Sequence, residues 1–305
     1  MTGSSSGPFS GPFSEPVDRA AVLARIGDHP IEGGPREQRE AFARLVLGEG
    51  GDPGADGYDG GSVSLAGTGG TIVYLHGGGY AFGSPRTHER IGRTLAELTG
   101  LSVTLPAYPL APEHVWPAQL DAAMAALAAV AETSGPVVLA GDSAGAHLAL
   151  VVGLEARRLG LDVVGVIVFS PNTDRTGLST TRQRNGPSDP MVDDEGDRIL
   201  ARQCFGDRSD DDLQVSPVLG DLRLLPALHI EVGGGEVLLG DSLVLADAAR
   251  EAGVPTTLHV EADGLHMMQL WTPWWSAATA SLERAAAFAL DVTASLDVRP
   301  DRAGS

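Results

Sequence analysis

From residue 62 onward, apolar runs alternate with amphipathic stretches. The runs at 71–75, 101–105, 136–140, 163–169, 227–232 and 256–260, most of them without polar alternation, predict buried β-strands. The stretches near 86–99, 117–133, 144–159, 238–253 and 273–290 carry apolar positions at helical spacing. Buried strands separated by helices predict an α/β fold, with a mostly parallel sheet covered on both faces. In such sheets ligands bind at the carboxyl ends of the strands.

The segment 171–216 interrupts this alternation. It is polar, with several Asp and Arg, and predicts one helix near 193–204. An insertion of that size after a strand reads as a cap. Upstream, residues 17–48 predict two helices split by Gly33-Gly34-Pro35, with Val17, Ala20, Ala21, Leu23, Ala24 and Ile26 on one and Phe42, Leu45 and Val46 on the other. Residues 48–61 are rich in Gly and Asp and read as a loop, and 62–66 reads as a short strand. Residues 1–16 contain a tandem Gly-Pro-Phe-Ser at 7–10 and 11–14 and read as a tail, disordered or draped over the surface by its two phenylalanines. The organisation expected is a tail (1–16), cap helices and loop (17–61), a catalytic domain (62–290) with its cap insertion, and a second tail (291–305).

Composition narrows the function. A hydrophobic fraction of 43% over 305 residues is ample for one large core. A net charge of −19, with every basic residue an Arg, argues against nucleic acid or an anionic membrane as a partner. The one cysteine, Cys204, allows no internal disulfide and has no metal-ligand cluster around it. No secretory signal and no membrane-spanning run is evident, so a cytoplasmic protein is expected.

The chemistry centres on Gly141-Asp142-Ser143-Ala144-Gly145, which joins the apolar run 136–140 to the helical stretch after it. Strand, G-x-S-x-G, helix is the layout of a nucleophile elbow, a strained turn that exposes a serine hydroxyl above the sheet. A serine hydroxyl needs a base, a group to orient the base, and donors for the developing oxyanion. His76-Gly77-Gly78-Gly79-Tyr80 follows the strand 71–75 and offers backbone N–H donors, Gly77 and Gly78, alongside that of Ala144. The base belongs after the last strand, where His266 lies in Asp263-Gly264-Leu265-His266-Met267. His259 lies within a strand, His147 is a helix residue near the elbow, and His29, His88, His114 and His229 have no comparable setting. The acid belongs after 227–232. Glu236 follows a glycine turn there, and Asp241 is the alternative, with helix capping as its structural role.

These stretches resemble the hormone-sensitive-lipase-like esterases of the α/β-hydrolase fold, from about Thr71 to about Ala289. Leu110-Ala111-Pro112-Glu113-His114 with Pro117, Ser170-Pro171, Asp189-Pro190-Met191, Ser216-Pro217 and Glu236-Val237-Leu238-Leu239 add to the resemblance. Three features depart from the pattern: Pro109 stands where an arginine is usual, Ala146 where a second glycine is usual, and the leading strands are shortened. The resemblance implies hydrolysis of short-acyl carboxylic esters, a two-part cap, no cofactor and a homodimer.

The expected reaction is attack of Ser143 on a small-molecule ester, with His266 as base and Glu236 orienting it. The acyl pocket is expected between the 17–48 helices, the 171–216 insertion and the loop after His266, lined by Tyr80, Phe82, Met191, Met267 and Trp271. The same triad would also serve acyl transfer, cyclisation or lactone opening, and a non-catalytic binding protein is the third alternative.

Overall fold

The computed structural model describes residues 11–49, 61–132 and 135–297. The chain opens with helices α1 (Arg19–Asp28) and α2 (Pro35–Leu47). Asp18 caps α1 by accepting from Ala21 N–H at 2.9 Å, and Pro35, whose missing N–H costs nothing at a helix start, begins α2. Then come β1 (Val63–Leu65), β2 (Thr71–Leu75), α3 (Glu89–Thr99), β3 (Ser102–Leu105), α4 (Ala118–Ala131), β4 (Val137–Asp142), α5 (Ala144–Arg158) and β5 (Val163–Phe169). After α6 (Thr181–Asn185) and α7 (Asp194–Phe205), the chain returns through β6 (Ala227–Gly233), α8 (Leu239–Glu251), β7 (Thr256–Glu261) and α9 (Ser276–Asp297).

The described strands form one sheet of seven, ordered β1-β3-β2-β4-β5-β6-β7. All neighbours are parallel except β1, which runs antiparallel to β3 at the edge. Alternate side chains of the central strands feed two cores. Val73, Leu75, Leu139, Val166 and Ile230 pack against α4, α5 and α8. Ile72, Tyr74, Val138, Ile167 and Phe169 pack against α3 and α9, with Phe42 and Val46 of α2 on the same side. β4 at the sheet's centre is buried at every residue, so its carboxyl end is a rigid place to mount a reactive group.

Several elements differ from the sequence expectation. The insertion holds the short helix α6 as well as α7. The helix α9 runs to Asp297, so residues 291–297 continue it where a tail was expected. Of the tail's two phenylalanines, Phe9 lies outside the described residues, as does most of the 48–61 loop. The Phe13 ring lies edge-on to Trp271 and Trp274, at 6.2 and 6.1 Å.

The cap is fastened by a buried charge cluster. Arg182 of α6 donates to Asp241 of α8 at 2.7 Å, to Asp197 of α7 at 2.8 Å and to Asn172 at 2.8 Å. Asp241 also accepts the N–H groups of Thr173 and Asp174, both at 3.0 Å. At the other side, Arg39 of α2 donates to the carbonyls of Ala81 (3.0 Å) and Ala111 (3.1 Å) and pairs with Glu113. The 171–216 insertion and α2 are therefore both tied to neighbouring segments by buried arginines.

Candidate active site

Ser143 sits at the junction of β4 and α5 with φ 51° and ψ −118°, a conformation costly for a residue with a side chain. The turn closes only because its neighbours are bare. A Cβ on Gly145 would strike the carbonyl oxygens of Leu75 and His76, and one on Gly141 would come within 2.7 Å of the Leu75 oxygen. The strain lifts the serine hydroxyl out of the strand and toward the loops that follow β2, β6 and β7.

His266 comes from the turn after β7. Its Nε2 lies 3.0 Å from Ser143 Oγ, and its Nδ1 lies 2.9 Å from Glu236 Oε2. A carboxylate can only accept, so Nδ1 carries the proton and Nε2 presents its lone pair to the serine hydroxyl. Glu236 lies at the end of β6, and its other oxygen accepts from Ser170 Oγ at 2.9 Å and Gly233 N–H at 2.5 Å. Ser170 itself adopts a positive φ of 47° at the end of β5 and is fixed by its N–H to the Glu231 carbonyl. Burial alone would lower the His266 pKa, but the hydrogen bond and charge of Glu236, with Asp189 and Asp142 adding, hold it above the ordinary value. Asp241, the alternative acid, does not reach His266; it is the cap anchor described above.

The glycine loop after β2 departs from expectation in one donor. Gly77 N–H donates to Asp142 Oδ1 at 3.1 Å, so it is turned away from the serine. Among the described residues the N–H groups of Gly78, Gly79 and Ala144 have no protein acceptor. The same Asp142 accepts from the Tyr74 hydroxyl at 2.8 Å and from His88 Nε2 at 3.1 Å. Burial pushes the Asp142 carboxyl up, and the charge and hydrogen bond of His88 with the Tyr74 hydroxyl more than offset it, leaving it below the ordinary value. Asp142 and His88, both wholly buried, thus lock the glycine loop to the elbow. Sequence reading missed them because their partners lie 54 residues apart. The Asp189-Pro190-Met191 motif does carry a signal: Asp189 accepts Val237 N–H at 2.9 Å and so braces the turn that carries Glu236.

The expected pocket residues divide. Tyr80 lines a cavity of about 10 Å³ with Gly79, Ala144, His147 and, from the cap, Leu200 and Phe205. That is the room one water-sized group needs. Its walls are the glycine loop, α5, α7 and the segment after β5 (Asn172 and Arg175), without the 17–48 helices or the loop after His266. The Tyr80 hydroxyl and His147 Nδ1 share a 2.6 Å hydrogen bond, and burial with the nearby Arg175 charge lowers the His147 pKa to about 3, keeping it neutral. Met267 packs beside Gly77, where its Sδ would meet a Cβ at 2.7 Å. Met191 is half-buried, Phe82 packs on Phe42 with ring centres 5.1 Å apart, and Trp271 is wholly buried against Phe13. Among the described residues no group of three or more His, Cys, Asp or Glu could hold a metal ion, and no helix is long and apolar enough to cross a membrane.

Residues 72–270 match the family model described as the alpha/beta hydrolase fold. An acetyl-hydrolase of Streptomyces hygroscopicus is 32% identical over 222 residues, 72% of this chain and 74% of that protein. An esterase of Acinetobacter venetianus is 31% identical over 223 residues, again 72% of this chain and 74% of that protein. The crystal structure of an esterase from the bacterial hormone-sensitive lipase family superposes with a TM-score of 0.81 at 26% identity, covering 90% of this chain and 98% of that one. The chain belongs to the α/β-hydrolase fold family, in its hormone-sensitive-lipase-like branch, and is a carboxylic ester hydrolase.

Proposed function

We propose that Ser143 is the nucleophile, His266 the general base and acid, and Glu236 the group that orients and stabilises His266. Ser143 Oγ attacks the ester carbonyl as its proton passes to His266 Nε2. The tetrahedral oxyanion lies against the N–H groups of Gly78, Gly79 and Ala144, with Gly77 removed from the expected set. His266 then protonates the leaving alcohol. Water, deprotonated by the same imidazole, attacks the acyl-serine and releases the acid. The observation that carries this reading is the unbroken chain of hydrogen bonds from Ser170 through Glu236 and His266 to Ser143.

The substrate we propose is a small acetate-like ester. Support comes from the cavity of about 10 Å³ beside Ala144, with room for little more than a methyl group, and from the printed activity of the Streptomyces relative, an acetyl-hydrolase. Of the expected pocket residues, Tyr80 borders that cavity, Met191 and Met267 do not, and Phe82 and Trp271 are assigned to packing. A homodimer, implied by the family resemblance, belongs to the same proposal and is decided by a mass measurement in solution. The test of the chemistry is turnover of p-nitrophenyl acetate. Ser143→Ala is expected to lose at least about a thousandfold in kcat/KM, since loss of a triad member typically costs more than that; a variant retaining more would overturn the assignment.

A further inference from the structure

A second cavity, of about 380 Å³, opens in the cap between the 175–183 segment, α7 and the turn after it. Arg198, Arg202 and Arg208 lie along it. It shares three wall residues with the small cavity beside Ala144: Arg175, Ala201 and Phe205. Of these, Arg175 is tethered to Asp197 by hydrogen bonds of 2.9 and 3.3 Å, and Ala201 contributes only a methyl group. The partition is the Phe205 ring, with the Arg175 guanidinium 5.9 Å over it and the Ala201 methyl beside them. It is held at the end of α7 in an aromatic box, with ring centres 5.2 Å from Trp116, 5.6 Å from His147 and 5.8 Å from Tyr80.

The small cavity lies on the acid side of the ester. The leaving alcohol must reach His266 Nε2 to take its proton, and neither His266 nor Met267 borders this cavity. Its walls instead include Gly79 and Ala144, two of the oxyanion donors proposed above, and the assignment of the cavity to the acyl chain rests on that proposal.

We propose that Phe205 is the gate that limits acyl length: its ring closes the cavity beside Ala144, and the larger cleft lies on its other side. The proposal rests on the reading of Ser143 as the nucleophile. A chain longer than acetyl meets the ring; with the ring gone it continues through the partition into the cleft.

The test compares p-nitrophenyl acetate with p-nitrophenyl octanoate for the wild type and Phe205→Ala, with Phe205→Leu read in the same way should the alanine variant fail to fold. The octanoate-to-acetate ratio of kcat/KM is expected to rise about tenfold, the low end of what one methylene is worth in a pocket, because the cleft beyond the ring is lined largely by Arg and Asp side chains. A ratio within twofold of wild type in folded protein overturns the gate. A parallel series of ethyl to octyl acetates is expected to keep its wild-type profile, and a shift there in place of the acyl series overturns the acyl assignment. Ser143→Ala separates the two levels. If it remains active, the underlying reading has failed; if it is inactive while the ratio is unchanged, only the gate has failed.

Discussion

Asp142 is the residue through which stability and chemistry are most tightly joined. It is wholly buried and holds three donors from three segments: the Tyr74 hydroxyl on β2, the Gly77 N–H of the glycine loop and His88 Nε2 ahead of α3. Asp142→Ala leaves all three donors without a partner in the core. Each such orphan costs roughly 1–3 kcal/mol, and the released desolvation of the carboxylate offsets part of the sum. A loss of about 3–5 kcal/mol is expected, a large share of the roughly 5–15 kcal/mol that holds a typical domain folded. Asp142→Asn is much milder. Its oxygen still accepts from Tyr74 and Gly77, and His88 can accept at Nε2 by moving its proton to Nδ1, which lies 3.3 Å from the Ser84 carbonyl. That substitution is expected to cost about 1 kcal/mol, one ordinary hydrogen bond. Urea unfolding at unchanged m-value measures both, and kcat/KM on p-nitrophenyl acetate follows the glycine loop. Activity should fall further in the alanine variant, because Gly78 and Gly79 lose the anchor beside them. An alanine variant within about 1 kcal/mol of wild type, or an asparagine variant as damaged as alanine, would refute the reasoning.

The raised pKa of His266 places the acid limb of the kcat/KM profile above the ordinary histidine value of about 6.5, with activity rising as the imidazole loses its proton. An inflection below about 6 would contradict it. Stability has the opposite sign: the same group's contribution is complete below about 6.5 and fades as pH climbs through the folded value, which pH-dependent melting can follow. Glu236→Gln should keep the fold but lower kcat by roughly 10³–10⁴-fold, as when the orienting acid of a serine triad is neutralised, whereas Asp241→Asn should act mainly on melting temperature. Arg182→Leu leaves the buried carboxylates of Asp241 and Asp197 without their shared partner. It is expected to destabilise by about 3–5 kcal/mol in thermal or urea unfolding, with less than about 1 kcal/mol showing the cluster to be dispensable.

The central strands were legible because buried parallel strands are near-continuous apolar runs, as in β2 and β4, whereas β3 alternates and the edge strand β7 is only half-buried, so those two were legible mainly from their place between helices. Ser143, Glu236 and His266 were legible because each follows a strand in chain order, and they meet at the carboxyl ends of β4, β6 and β7. What escaped depends on partners distant in sequence. His88 looked like any helix-end histidine until Asp142 lay against it. Gly77 looked like a free donor because its acceptor is the second residue of another motif. Asp241, weighed as the alternative acid or a helix cap, instead binds Arg182 and the Thr173–Asp174 turn, partners that come to it only in the folded chain. Phe205 carried no sequence signal, since its role depends on two empty spaces rather than on a motif.

The central claim is that Ser143 forms the acyl-enzyme. A fluorophosphonate mimics the tetrahedral intermediate and stays covalently bound to an activated serine. One adduct per chain is expected, mapped by peptide mass spectrometry to Ser143, with loss of esterase activity in step with labelling and no adduct on Ser143→Ala. Labelling of another residue, or equal labelling of the alanine variant, would contradict it.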